Sequence, residues 1–272
     1  MTLAQLIEPV QFDFEAFRQE YQRRTRSTVP LLGEVEAYLG QHPGKQLRPL
    51  LVLLAAKACN TLANHHIVLA SIVEMLHNAT LMHDDVVDES PLRRGHDSVR
   101  NRWGNQVAVL CGDYYLALVM SALHEINDNA ITNIVSSAVC TMCEGELKQL
   151  AYAGQPLNEE NYLDIIGRKT ASLMAACCEL GACRLKADTP SPYKQALHDF
   201  GYHYGIVFQI RDDMHDADCR HDATLLNTID PQPLINHHTQ LATDALNALP
   251  DTPARQSLLS LLLPSAPQPT NN

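Results

Sequence analysis

Three aspartates, Asp84, Asp85 and Asp88, lie at the end of an apolar helical run in the segment His77 to Gly95, and a Pro-marked turn then presents Arg93 and Arg94. Residues four apart stack on one helix face, so Asp84 and Asp88 align and Asp85 flanks them. Carboxylates this close repel one another, and a divalent cation relieves the repulsion. Hard oxygen ligands with few protein contacts per ion suit Mg²⁺ bound together with a phosphate-bearing ligand. The two arginines add planar forks for the same phosphate oxygens. A second apolar helix, GIVFQIRDDMHD, repeats the spacing with Asp212, Asp213 and Asp216. Either triad alone could be a solvated helix end; two with the same spacing point to a metal-binding role.

Further cations and polar groups fall where such a ligand would need them. Lys45 and Arg48 sit at the Pro43-Gly44 break before a buried helix, a natural anion clamp. His77 lies two helical turns before Asp84, on the same face. Lys169 and Thr170 interrupt an apolar helix, and Gln209 stands three residues before Asp212. Polar groups at such places cost stability unless they meet a partner, and a bound anion is one.

The elements that must position these residues read as helices nearly throughout. Apolar periodicity predicts helices over 12–24, 29–39, 47–58, 67–87, 107–126, 131–150, 161–181 and 193–214, with closing helices over 234–263. Strand signals are scarce. The 272 residues are 46% hydrophobic, enough for a substantial core, and residues 1–263 are expected to form one domain, with 264–272 a disordered tail. A net charge of −11 argues against a general nucleic-acid surface. No apolar run approaches a membrane span and the start lacks a basic region leading into an apolar one, so no membrane insertion and a cytoplasmic location are expected. The cysteines fit as reduced thiols in helices; Cys140 and Cys143 form a CxxC with no second pair at zinc spacing.

Together these motifs resemble the trans-isoprenyl diphosphate synthases, the polyprenyl synthetase family. GKQLRP is similar to that family's first substrate motif, HDDVVDESPLRRG to its first aspartate-rich motif and FQIRDDMHD to its second, in register from about Gly44 to Asp216. Gly112-Asp113, Lys169-Thr170 and Gly205 also stand where the family has them. The resemblance implies an all-α fold, an isoprenoid-synthase-type helical bundle around a deep central cavity, usually a homodimer. It implies a head-to-tail prenyltransferase with about three Mg²⁺ ions held by Asp84, Asp85, Asp88, Asp212, Asp213 and Asp216. Arg93, Lys169 and Gln209 would hold an allylic diphosphate; Lys45, Arg48, His77 and Arg94 would hold isopentenyl diphosphate. Lys169, Thr170 and Gln209 would serve the reacting centre. Ala79 and Thr80, one turn before the first triad, would form a small floor that permits a product of C20 or longer, with Leu116 or Met120 as the alternative stop.

After Asp216 the resemblance fades. No lysine follows Lys194, so the family lysine that contacts the allylic diphosphate is missing unless Arg220 replaces it; Thr224-Leu225 is a remnant of the later segment, with Asp222 where a lysine is expected. Two alternatives follow: a catalytically weak or regulatory subunit of a heteromeric synthase, or a terpene cyclase, against which the second acidic motif and GKQLRP weigh. Glu74-x-x-His77 also fits half of a di-iron helical bundle, which needs a second such pair that is not present.

Overall fold

The computed structural model describes residues 2–153, 155, 157–187, 191–220 and 230–263, with 216–220 described in backbone only. Two short elements, α1 (Leu3–Ile7) and a 3-10 turn (Glu8–Val10), lead into α2 (Gln11–Thr25), α3 (Pro30–Gln41), α4 (Leu47–Ala58) and α5 (Asn64–Val87). A minimal hairpin of β1 (Leu92–Arg93) and β2 (His96–Asp97) pairs Leu92 with Asp97 and Arg93 with His96. Then come α6 (Val99–Trp103), α7 (Asn105–Ile126), α8 (Asn129–Ala151), α9 (Glu159–Ile166), α10 (Ser172–Gly181), α11 (Lys194–Arg220), α12 (Pro231–Leu246) and α13 (Pro253–Leu261). The fold is all-α, and the hairpin is the only strand pairing among the described residues.

Burial follows the apolar pattern. In α4 every residue from Leu50 to Ala56 is sealed at 0% exposure, the signature of a helix apolar on all sides. It is wrapped by α5, α10 and α13, while α5 packs along α7 and α2. Each fully buried leucine there contributes about 1.5 to 3 kcal/mol through burial alone. Helix ends carry their own stops: Pro30 opens α3 where its missing N–H costs nothing, and the Asp128 carboxylate caps α8 by accepting from the Ala130 N–H at 2.9 Å.

The expected helix over 161–181 is present and unbroken, but its winding changes partway. Between α9 and α10 the chain winds as a π-helical turn, Gly167–Ala171, which carries Lys169 and Thr170. One extra residue in a turn rotates the following side chains, and such turns are found at functional sites. The expected closing stretch is two helices, and α1 and α6 have no counterpart among the expected elements. Residues 264–272, Asp222 and Thr224-Leu225 lie outside the described residues, as do the side chains of Asp216 and Arg220.

Candidate active site

Local backbone geometry sets the basic side of the site. Gly44 has φ of +64°, and a Cβ there would lie 2.5 Å from Arg94 Cζ, so glycine serves both the left-handed turn and the passage of Arg94. Arg94 Nη1 in turn donates to the His42 carbonyl at 3.0 Å, bracing the hairpin turn against the approach to α4. In the first turn of α4, Arg48 Nη1 donates to His77 Nε2 at 3.0 Å. Burial, then the arginines around it, holds the His77 imidazole well below its ordinary pKa, which leaves the ring neutral and Nε2 free to accept.

These groups line a cavity of about 880 Å³ between α4, α5, α8, the π-helical turn and α11. From the basic side come Lys45, Arg48, His77, Arg93 and Arg94, from α5 come Thr80 and Asp84, and from the cap of its C-terminus comes Asp88. The turn supplies Lys169 and Thr170, and α11 supplies Gln209 and Asp212. Leu81, Met142, Leu147 and Phe208 give the cavity apolar wall. Lys45 is half-buried; burial lowers its pKa and Asp212 opposes that, which relates the α4 approach electrostatically to α11.

The first triad divides. Asp84 and Asp88 face the cavity, and burial pushes the Asp84 carboxyl up to about 6, Lys169 opposing and Glu146 and Asp88 adding to the rise. Asp85, expected among the metal ligands, is 2% exposed, lies outside the lining of this cavity and accepts from Arg93 Nη2 at 2.6 Å and Nε at 2.9 Å. A helix turns about 100° per residue, so the middle carboxylate rotates toward the hairpin while its neighbours i and i+4 stay together.

On α11 the pattern recurs in another form. Asp212 lines the cavity, whereas Asp213 accepts from Tyr162 at 2.7 Å and from Gln209 Nε2 at 2.8 Å. Gln209 Oε1 accepts from the Thr170 hydroxyl at 2.8 Å, so Tyr162, Asp213, Gln209 and Thr170 form one hydrogen-bonded chain across α9, α11 and the π-helical turn. Burial, reinforced by Asp213, raises the Tyr162 phenol far above its ordinary pKa and keeps it a donor. Lys169 Nζ is 2.6 Å from Glu146 and 3.3 Å from the Gln149 amide oxygen, both on α8.

Of the two floor positions, Thr80 lines the cavity and donates to the His77 carbonyl at 2.9 Å. Ala79 is sealed in the core at 0% exposure and does not line it. Neither Leu116 nor Met120 borders the cavity, and Met120 is 65% exposed on α7. Glu74 entered the sequence reading only as half of a di-iron pair, while Glu146, Gln149 and Tyr162 escaped it, because nothing in local spacing ties α8 or α9 to the triads.

The donor set suits Mg²⁺ held jointly with a phosphate ligand. Partial burial and the neighbouring Glu146 and Asp88 carboxylates hold the Asp84 carboxyl toward neutrality, a strain that a divalent cation would relieve. Among the described residues no three His, Cys, Asp or Glu side chains converge closely enough to chelate an ion by themselves. Asp84 and Asp88 on one wall and Asp212 on another would need phosphate oxygens to complete a coordination shell.

An all-α bundle around a cavity with acidic and basic walls is thus the class that fold and site define. A family model described as Polyprenyl synthetase matches residues 29–227, and the chain belongs to that family. It is 41% identical over 213 residues to an all-trans-nonaprenyl-diphosphate synthase (geranyl-diphosphate specific) of Rhodobacter capsulatus, covering 78% of this chain and 65% of that relative. Among solved structures it is similar to a decaprenyl diphosphate synthase from Rhodobacter capsulatus, with TM-score 0.85, 30% identity and coverage of 96% of this chain and 97% of that one. A polyprenyl synthase from Caulobacter crescentus complexed with calcium and isoprenyl diphosphate follows, with TM-score 0.84, 26% identity and 96% of each chain covered.

Proposed function

We propose that the protein is a Mg²⁺-dependent head-to-tail prenyltransferase that joins isopentenyl diphosphate to an allylic diphosphate and releases a longer all-trans prenyl diphosphate. One observation carries this reading: acidic groups from α5 and α11, five cationic side chains and an apolar wall border a single cavity. Its composition matches two diphosphates and two hydrocarbon chains.

When bound, the metal ions would neutralise the charge that develops on the leaving diphosphate, and Asp84, Asp88 and Asp212 are placed to hold them. Arg93 and Lys169 add fixed positive charge on the same side. Lys45, Arg48 and Arg94 hold isopentenyl diphosphate so that its double bond lies close to the allylic C1. The Thr170 and Gln209 oxygens stabilise the allylic cation in this reading, a role supported by their shared place on the cavity wall and their mutual hydrogen bond. The allylic C–O bond breaks first, the isopentenyl double bond then attacks the allylic cation to form the new C–C bond, and the departed diphosphate accepts the proton lost from the isopentenyl unit.

A product of C20 or longer is supported by the small Thr80 on the cavity wall and by the nonaprenyl and decaprenyl names of the relatives. A homodimer is supported by Val109, Leu110 and Met120, exposed at 38%, 66% and 65% along one side of α7. By length and composition α7 would also suit a membrane. It is packed against α5 and carries Asp113, which favours a partner helix over lipid. Free, buried Cys111, Cys177 and Cys178 accord with the cytoplasm.

The deciding experiment incubates the purified chain alone with Mg²⁺, isopentenyl diphosphate and allylic primers of increasing length, and separates the products by size. Elongation supports the enzyme. No turnover with any primer favours a regulatory subunit, a reading motivated by the absence of lysine after Lys194.

A further inference from the structure

Glu74 lies on α5 one turn before His77, is 2% exposed, and borders the cavity beside Arg48, His77 and Arg94. Its Oε2 has no hydrogen-bond partner, and neither has the sealed Nε of Arg48. A buried acceptor and a buried donor left open in one cavity wall mark a place that a ligand completes. An ionised carboxylate would meet diphosphate oxygens acceptor against acceptor, whereas a protonated carboxyl donates to them.

We propose that Glu74 binds the second diphosphate as a neutral acid, its carboxyl O–H donating to a phosphate oxygen, so that binding of isopentenyl diphosphate takes up one proton from solvent. This rests on the prenyltransferase reading above and adds a ligand-binding acid to it.

The surroundings support the neutral form. Facing or close to Glu74 are Tyr21 from α2, Arg48 from α4, His77 from its own helix, Arg94 from the hairpin turn and Cys177 from α10. Burial keeps Tyr21 and Cys177 protonated and His77 neutral. Only the two arginines favour ionised Glu74, and burial outweighs them, pushing its carboxyl up to about 7. A diphosphate engages both guanidiniums and adds negative charge of its own. Both effects drive Glu74 further toward the acid form. Uptake therefore appears above about pH 7, where the empty site is ionised, and vanishes below it, where the proton is already present.

The test is calorimetric titration of isopentenyl diphosphate into the full chain in two buffers of different ionisation enthalpy, for wild type and Glu74→Gln, which keeps the shape and a donor. At about pH 8, wild type should take up close to one more proton than the variant, and at about pH 6 no more. Wild-type affinity should weaken by up to about tenfold per pH unit above 7 relative to the variant. Infrared difference spectra of the wild type give a second readout that does not depend on the variant's folding. Binding at about pH 8 should replace a carboxylate band with a protonated carboxyl band. Equal proton uptake in the two proteins, or no carboxyl band, overturns the proposal while leaving the enzyme reading intact. Absence of isopentenyl diphosphate binding in the wild type overturns both.

Discussion

The Arg93 guanidinium lies 2.6 Å from an Asp85 carboxylate oxygen, so a side chain at the cavity wall is held by an aspartate that lies outside the cavity lining. The two outer aspartates and the middle one should therefore fail in different ways. Asp84→Ala should cut kcat/KM by about a thousandfold or more and raise the Mg²⁺ concentration needed for half-maximal rate, because it removes a cavity-facing donor. Asp85→Asn loosens Arg93 only, and should cost about 1.5 to 3 kcal/mol, seen as a raised allylic KM with the Mg²⁺ dependence unchanged. Equal shifts in Mg²⁺ dependence for both variants would refute the division.

Asp84 also makes the metal-free protein less stable than it could be. Its folded pKa of about 6 lies above the ordinary 3.8, so the folded state binds the proton more tightly. Below pH 3.8 both states are protonated and there is no penalty. The penalty grows as pH rises between these values and is complete above about 6. Asp84→Asn should therefore stabilise the metal-free chain at about pH 8 by roughly 1 to 2 kcal/mol, discounted for partial solvent access, while losing activity. Calorimetric melting should show the gain at about pH 8 and its disappearance near pH 4.

The floor residue can be distinguished from its neighbour. Thr80→Phe projects a ring into the cavity and should shorten the product with the melting temperature little changed. Ala79→Phe forces the same ring into a sealed core position and should destabilise by about 1 to 3 kcal/mol or more through overpacking. Chromatography of the products and a thermal melt of each variant separate the two. An unchanged product spectrum for Thr80→Phe would place the length-determining contact elsewhere in the wall.

What the sequence disclosed and what it hid divide along the range of the interactions. The α5 and α11 triads were legible because carboxylates four apart behind an apolar run form a local pattern, and α4 was legible because every side of it is apolar. The rotation of Asp85 toward Arg93 depends on a hairpin of two-residue strands, too short to leave a periodic signal. Glu146 meets Lys169, and Tyr162 meets Asp213, only through packing of α8 and α9 on the site. The π-helical turn was half visible: Lys169 and Thr170 stood out as polar residues in an apolar stretch, but the change of winding that aims them left no mark on the apolar spacing.

That turn is held in place by Gly205. A Cβ at this position would lie 2.5 Å from Ala171 Cα and 2.8 Å from its Cβ, closer than carbon atoms tolerate. Gly205→Ala must therefore push α11 away from the turn, and Gln209, one helical turn further on, moves with it. The Thr170 to Gln209 hydrogen bond, 2.8 Å in the native arrangement, should lengthen or break. Overpacking of this kind costs about 1 to 3 kcal/mol, and loss of the bond should lower kcat about tenfold with isopentenyl diphosphate affinity unchanged. Adding Ala171→Gly removes only the more distant of the two clashing atoms. The double variant should thus recover part of the lost melting temperature and part of kcat. Full recovery would show that the Ala171 side chain, and not its backbone, sets the distance between α11 and the turn.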